Sequence, residues 1–137
     1  MGRDTLVKEF KGRKDHAQYI TRGIQVENNF IKTVKEHGYT VEIADDNTNI
    51  YKHIDLYLTK DNKTVSIDVK ARRTGNRQRV FDDAWIVVEF LNTIGKKGWL
   101  YGDCDYFVFE REHDYVWCYA KELVELTDKV VDKNTRV

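Results

Sequence analysis

The stretch HIDLYLTKDNKTVSIDVKARR, from His53 to Arg73, decides how this chain is read. Two segments alternate apolar and polar residues with a strand's period of two, and Asp61-Asn62 between them suits a tight turn. Counting outward from that two-residue loop pairs Lys60 with Lys63, Leu58 with Val65 and Leu56 with Ile67. The next step sets Asp55 opposite Asp68. Like charges facing each other destabilise a strand pair, because their Cβ atoms stand only about 4.5–5.5 Å apart. One face of the hairpin is apolar throughout: Ile54, Leu56, Leu58, Val65, Ile67 and Val69. The other carries Asp55, Tyr57, Thr59, Ser66, Asp68 and Lys70, so two carboxylates and an ammonium converge on one patch.

A third acid comes from upstream. Residues from about Ala17 to His37 follow a helical pattern that stops at Gly38, a usual residue just past a helix end. At about 100° per residue, Ile20, Ile24, Val26, Phe30, Ile31 and Val34 share an apolar arc, with Glu27 near its middle. A glutamate centred on a buried face is costly unless paired or liganded. Singly, each acid has an ordinary explanation: a surface Asp68–Lys70 ion pair, Asp55 as a loop cap, Glu27 on a solvated helix rim. Together they favour a hard divalent cation held by carboxylate oxygens, which would make the facing aspartates favourable.

The rest of the chain frames that cluster. It has 137 residues, 41% of them hydrophobic, including three Trp, eight Tyr and six Phe, enough to fill the core of a single domain spanning 1–137. Residues 1–15 are polar and expected to be loosely held. YTVEIA (39–44) reads as a strand, DDNTNIYK (45–52) as a loop, and the hairpin strands as roughly 53–60 and 63–71. AWIVVEF (84–90) is apolar on both faces, as a central covered strand would be. NTIGKKGWLYG reads as an ordered turn, DYFVFER and DYVWCY as a second hairpin, and AKELVELTDKVV as a closing amphipathic helix. This order makes an α+β domain with a mixed sheet.

Lys+Arg and Asp+Glu balance at 23 each, so overall charge points to no partner. Locally, Lys70, Arg72, Arg73, Arg77 and Arg79 form a basic strip with no acid from Val69 to Phe81, which suits a phosphate backbone; a solvated loop is the equal rival for each arginine. Cys104 and Cys118 have no metal-ligand spacing and form no disulfide framework, and the four histidines are scattered. There is no proline, no phosphate-binding glycine loop and no membrane-length apolar run. The start MGRDTLVKEF has no apolar signal core, and Leu6 stands where a myristoylation signal wants Ser or Thr. A soluble cytoplasmic protein is expected, including one encoded by a phage and acting in its host, with no membrane partner.

A helical Glu, an Asp opening one hairpin strand and Asp-x-Lys on the next resemble the PD-(D/E)XK nuclease superfamily. The matching residues are Glu27, Asp55 and Asp68-Val69-Lys70, within roughly residues 17 to 71. The chain is particularly similar to small Holliday-junction resolvases, whose acid-bearing helix and first strand would match VENNFIKTVKEHGYTVEIA. His53-Ile54 replaces the usual Pro before the first aspartate, and the helix such folds place after the Asp-x-Lys strand is not evident. The resemblance implies a restriction-endonuclease-like αβββ core and Mg²⁺-dependent hydrolysis of DNA phosphodiesters in recombination or repair, with Mn²⁺ able to substitute. It implies metal held by Glu27, Asp55, Asp68 and the Val69 carbonyl, with Lys70 orienting water or offsetting charge. Glu89 would complete the metal shell, pair with a lysine at the core edge, or lie at the solvated end of its strand. Cutting a four-way junction would require a homodimer. The alternatives are a restriction-type or nicking endonuclease, or a catalytically silent nucleic-acid-binding module on the same fold.

Overall fold

The computed structural model describes residues 17–72, 88–89 and 97–130. The elements run α1 (Ala17–Glu36), β1 (Thr40–Ile43), α2 (Asp46–Lys52), β2 (Leu56–Lys60), β3 (Lys63–Lys70), a 3₁₀ turn (Trp99–Tyr101), β4 (Tyr106–Glu110), β5 (Tyr115–Tyr119) and α3 (Ala120–Val130). The five strands form one sheet in the order β1-β2-β3-β4-β5. Its neighbours are antiparallel except β3 and β4, which run parallel. The architecture is α+β with a mixed sheet, as the sequence implies.

The hairpin forms in the expected register, Leu56 opposite Ile67, Leu58 opposite Val65 and Lys60 opposite Lys63. Asp61 and Asn62 both take left-handed φ, 53° and 65°, as a type I′ turn demands. Upstream, α1 stops at Gly38, whose φ of 91° reverses the chain. The Tyr39 N–H then reaches back to the Val34 carbonyl at 3.0 Å and the Gly38 N–H to that of Lys35 at 3.1 Å, closing the helix end.

Two readings need correction. Residues 46–52 are a helix, not a loop. Asp45 caps it, with Oδ1 accepting from the Thr48 N–H at 2.7 Å. Because α2 buries no residue, it has no apolar period to betray it. Second, β2 starts at Leu56 rather than 53. His53 closes α2 in a left-handed conformation, φ 56°, and Ile54 and Asp55 lie between helix and strand. The parallel partner β4 buries Phe107, Val108 and Phe109. The segment 84–90 falls outside the described residues except for Val88 and Glu89, which belong to no strand. Residues 1–15 and most of the basic strip also lie outside them.

The sheet separates two cores. On one face α1 lays Val26, Phe30, Ile31 and Val34 against Leu56, Leu58, Ile67, Val69 and Val108. On the other, Ile54, Leu100, Cys104, Phe107, Phe109 and Ala120 pack with Trp99 and with Leu123 and Val124 of α3. Ile54, expected beside Leu56, thus joins the opposite core because it precedes the strand. Parallel β3 and β4 require a crossover, and residues 71–105 supply it. At its far end Asp105 accepts from the Ser66 N–H at 2.9 Å and donates its own N–H to the Ser66 carbonyl at 3.0 Å, pinning β4 to β3.

Candidate active site

Strand alternation puts Ile67 and Val69 toward α1 and Asp68 and Lys70 on the opposite face, where Lys70 meets Trp99. Asp55 comes to the same place from the turn before β2. Both aspartates are buried, at 7% and 4% exposure. The expected convergence of two carboxylates and an ammonium is therefore present.

The two carboxylates live differently. The Asp55 N–H donates to the Ile67 carbonyl at 2.8 Å, extending the ladder by one bond beyond β2. Its side chain then takes the next donor on β3: Oδ2 accepts from the Val69 N–H at 2.8 Å. The Asn49 amide on α2 donates to Oδ1 at 2.6 Å, and more weakly to the Ile54 carbonyl at 3.3 Å. Two directed donors fix the Asp55 carboxyl in place.

Asp68 is the strained partner. Burial pushes its carboxyl well above the ordinary carboxylate range; the Asp55 charge and a hydrogen bond with Asp55 add to this, while the Lys70 ammonium pulls the other way. Lys70 Nζ stands 3.1 Å from Asp68 Oδ2. That contact is an ion pair by distance, yet Oδ2 remains an enclosed oxygen without a well-directed hydrogen bond. On its other side Lys70 Nζ lies 4.3 Å from the centroid of the Trp99 ring.

The remaining expected residues are placed as follows. Glu27 is half-buried on α1, with Oε1 enclosed. Glu89 is half-buried beside the 3₁₀ turn, its carbonyl accepting from the Leu100 N–H at 3.1 Å. Gly98 permits this: a Cβ there would collide with the Glu89 carbonyl. Arg72 is tied toward the β4–β5 hairpin, its N–H donating to Glu110 Oε1 at 2.8 Å and its guanidinium 4.0 Å from Glu112 Oε2. Arg73, Arg77 and Arg79 lie outside the described residues. Among the described residues, no group of three or more His, Cys, Asp or Glu side chains is assembled as a metal site.

Three neighbours of the cluster were not foreseen: Asn49, Trp99 and Cys104. Asn49 was hidden in the segment read as a loop; the Asp45…Thr48 capping pattern was the signal that could have exposed it. Trp99 and Cys104 arrive through the crossover, and nothing in their local sequence marks the approach. The Cys104 thiol is pushed up to about 12, first by burial and then by the Asp68 charge, with smaller pushes from Asp55 and Asp105 opposed by Lys70. Such a thiol is inert as a nucleophile. No family model, curated protein or solved structure matches the chain.

Proposed function

We propose that this protein is a metal-dependent deoxyribonuclease of the PD-(D/E)XK kind, cutting DNA phosphodiester bonds with Mg²⁺, or Mn²⁺ in its place. The observation that carries this reading is the buried Asp55–Asp68 pair with Lys70 beside it. Asp68 keeps an enclosed oxygen without a directed donor, and a second carboxylate adjoins it. Two buried acids opposed by one lysine fit a hard divalent cation, which prefers carboxylate oxygens and retains several waters. Asp55 and Asp68 would hold it, with the Val69 carbonyl as a further oxygen donor and Glu27, on the α1 side of the sheet, acting through water. The hydrogen bonds to Asp55 do not preclude this, since each carboxylate oxygen has two lone pairs.

A bound cation would supply a water of lowered pKa and positive charge beside the scissile phosphate. The chain's own residues would do the rest. Asn49 and the Val69 N–H fix the Asp55 carboxylate, which keeps one anionic wall of the site still. Lys70 would orient the attacking water or meet the charge that grows on the phosphate oxygens. The phosphate backbone would be met by Arg73, Arg77 and Arg79 with Arg72, the last already tethered to the β4–β5 hairpin. A structure-selective, resolvase-like substrate choice is favoured over a sequence-specific one by the likeness of residues 26–44 to the acid-bearing helix and first strand of small resolvases.

The rival reading is a silent nucleic-acid-binding module, and one observation favours it. Lys70 already neutralises Asp68, and no three-residue ligand group is assembled among the described residues. Incubating linear, nicked, flapped and four-way DNAs with the protein and Mg²⁺ separates the two. The nuclease reading expects cleavage that chelation abolishes and that Lys70→Ala lowers by about 10²–10³-fold, the usual cost of losing one transition-state donor. Binding without cleavage, in every metal and on every DNA, would establish the silent module. Junction resolution further expects a dimer on sedimentation and faster cutting of four-way than of linear DNA.

A further inference from the structure

We infer that Trp99 is a positioning residue for Lys70, holding its ammonium in place when a cation engages Asp68; this rests on the nuclease reading above. Among the described residues two groups hold the ammonium: Asp68 Oδ2 at 3.1 Å and the Trp99 ring, 4.3 Å to its centroid. They answer differently to a divalent cation. A cation held by Asp55 and Asp68 would draw on the same Asp68 carboxylate that pairs with Lys70, and its charge would repel the ammonium. The ion pair weakens at the moment Lys70 is needed. An indole face carries no net charge and is no ligand for Mg²⁺, yet it attracts an ammonium through its quadrupole. The contact with Trp99 therefore survives the change that loosens the contact with Asp68.

The ring is well anchored for this task. It packs edge-on against Phe107, 4.9 Å between centroids at 64°, and tilts over Phe109 at 6.2 Å. Its backbone is fixed on both sides. Leu100 donates to the Glu89 carbonyl and Gly102 to the Trp99 carbonyl at 3.0 Å. Gly98, buried just before it, leaves no room for a side chain against Glu89. Phe107 and Phe109 also stand opposite Asp68 and Lys70 in the β3–β4 register, so one parallel strand pair carries both the lysine and the floor under its indole.

A bulky core filler at 99 would serve Phe107 and Phe109 equally well without touching Lys70 function, and variants distinguish the two roles. Trp99→Phe keeps a weaker π face, whereas Trp99→Leu keeps apolar bulk and removes it. Trp99→Leu is expected to lower kcat about tenfold, which is about 1.4 kcal/mol, with KM and Mn²⁺ affinity unchanged and Trp99→Phe in between. In a Lys70→Ala background Trp99→Leu should have no further effect. By NMR, the Lys70 side-chain methylene protons should show the upfield ring-current shift of the indole, retained when Mg²⁺ is added. Wild-type kcat in Trp99→Leu, further slowing of Lys70→Ala by it, or loss of the ring-current shift on adding Mg²⁺ would each overturn the proposal. If Trp99→Leu fails to fold, Trp99→Phe decides, with an unchanged kcat counting against the role. Retention of the shift in a protein that cuts no DNA would leave the positioning intact and bring down the nuclease reading instead.

Discussion

The two faces of the sheet solve opposite problems. Toward α1 the core is a continuous apolar cluster, with Val26, Phe30, Ile31 and Val34 packed on Leu56, Leu58, Ile67 and Val69. Toward α3, β3 and the turn before β2 carry two buried carboxylates and a lysine, on the face where Phe107, Phe109, Leu100 and Trp99 pack. The first face is built for stability, and its contributions are roughly those of area removed from water. The second keeps like charges close in a place where water cannot screen them. A fold does not need that arrangement, and the proposed function rests on this difference between the faces.

The sharpest contrast comes from matched substitutions on the two faces of β3. Ile67 is fully buried, and Ile67→Ala should cost about 2–5 kcal/mol, read as a lowered denaturation midpoint. Its neighbour Asp68 is nearly as buried, yet Asp68→Asn at neutral pH should leave the metal-free protein as stable as wild type or more so. A large loss there would mean that the Lys70–Asp68 pair is structural, and the contrast between the faces would break.

Asp55 provides the next test. Asp55→Ala strands the Val69 N–H and the Asn49 amide, so it should destabilise by about 1–3 kcal/mol, the penalty of a buried donor left unmade. Asp55→Asn should cost less, because one amide oxygen can still accept. Thermal melts of the two variants side by side test whether the carboxylate is held by hydrogen bonds as described.

A smaller effect is set by pH. In the folded, metal-free protein Asp68 keeps its proton to well above 3.8, whereas the unfolded chain releases it near that value. The folded state therefore binds more protons across that window, and stability must fall as pH rises from about 4 through the raised value. Asp68→Asn should remove this fall. The slope of melting temperature against pH in wild type and variant checks the sign.

How much of this could be read from the chain depended on range. The β2–β3 register was legible because period-two alternation and a two-residue turn leave only one pairing with a clean apolar face, and α1 because its apolar arc and Gly38 are local signals. The convergence of Asp55, Asp68 and Lys70 followed from the register alone. What held those residues was not legible. Asn49 sits on a polar helix with no buried face, and Trp99 and Cys104 reach the site only because residues 71–105 cross over to bring β4 parallel to β3. Long-range placement of that kind leaves no periodic trace.

The central claim is that the Asp55–Asp68 pair is a cation site and not a neutralised relic. The melting temperature measured against Mn²⁺ concentration, in wild type and in Asp55→Asn/Asp68→Asn, tests it most directly, because a ligand that binds only the folded state must stabilise it by mass action. The account predicts a steady rise with Mn²⁺ in the wild type and none in the double variant. An equal rise in both, or no rise in either, would contradict it.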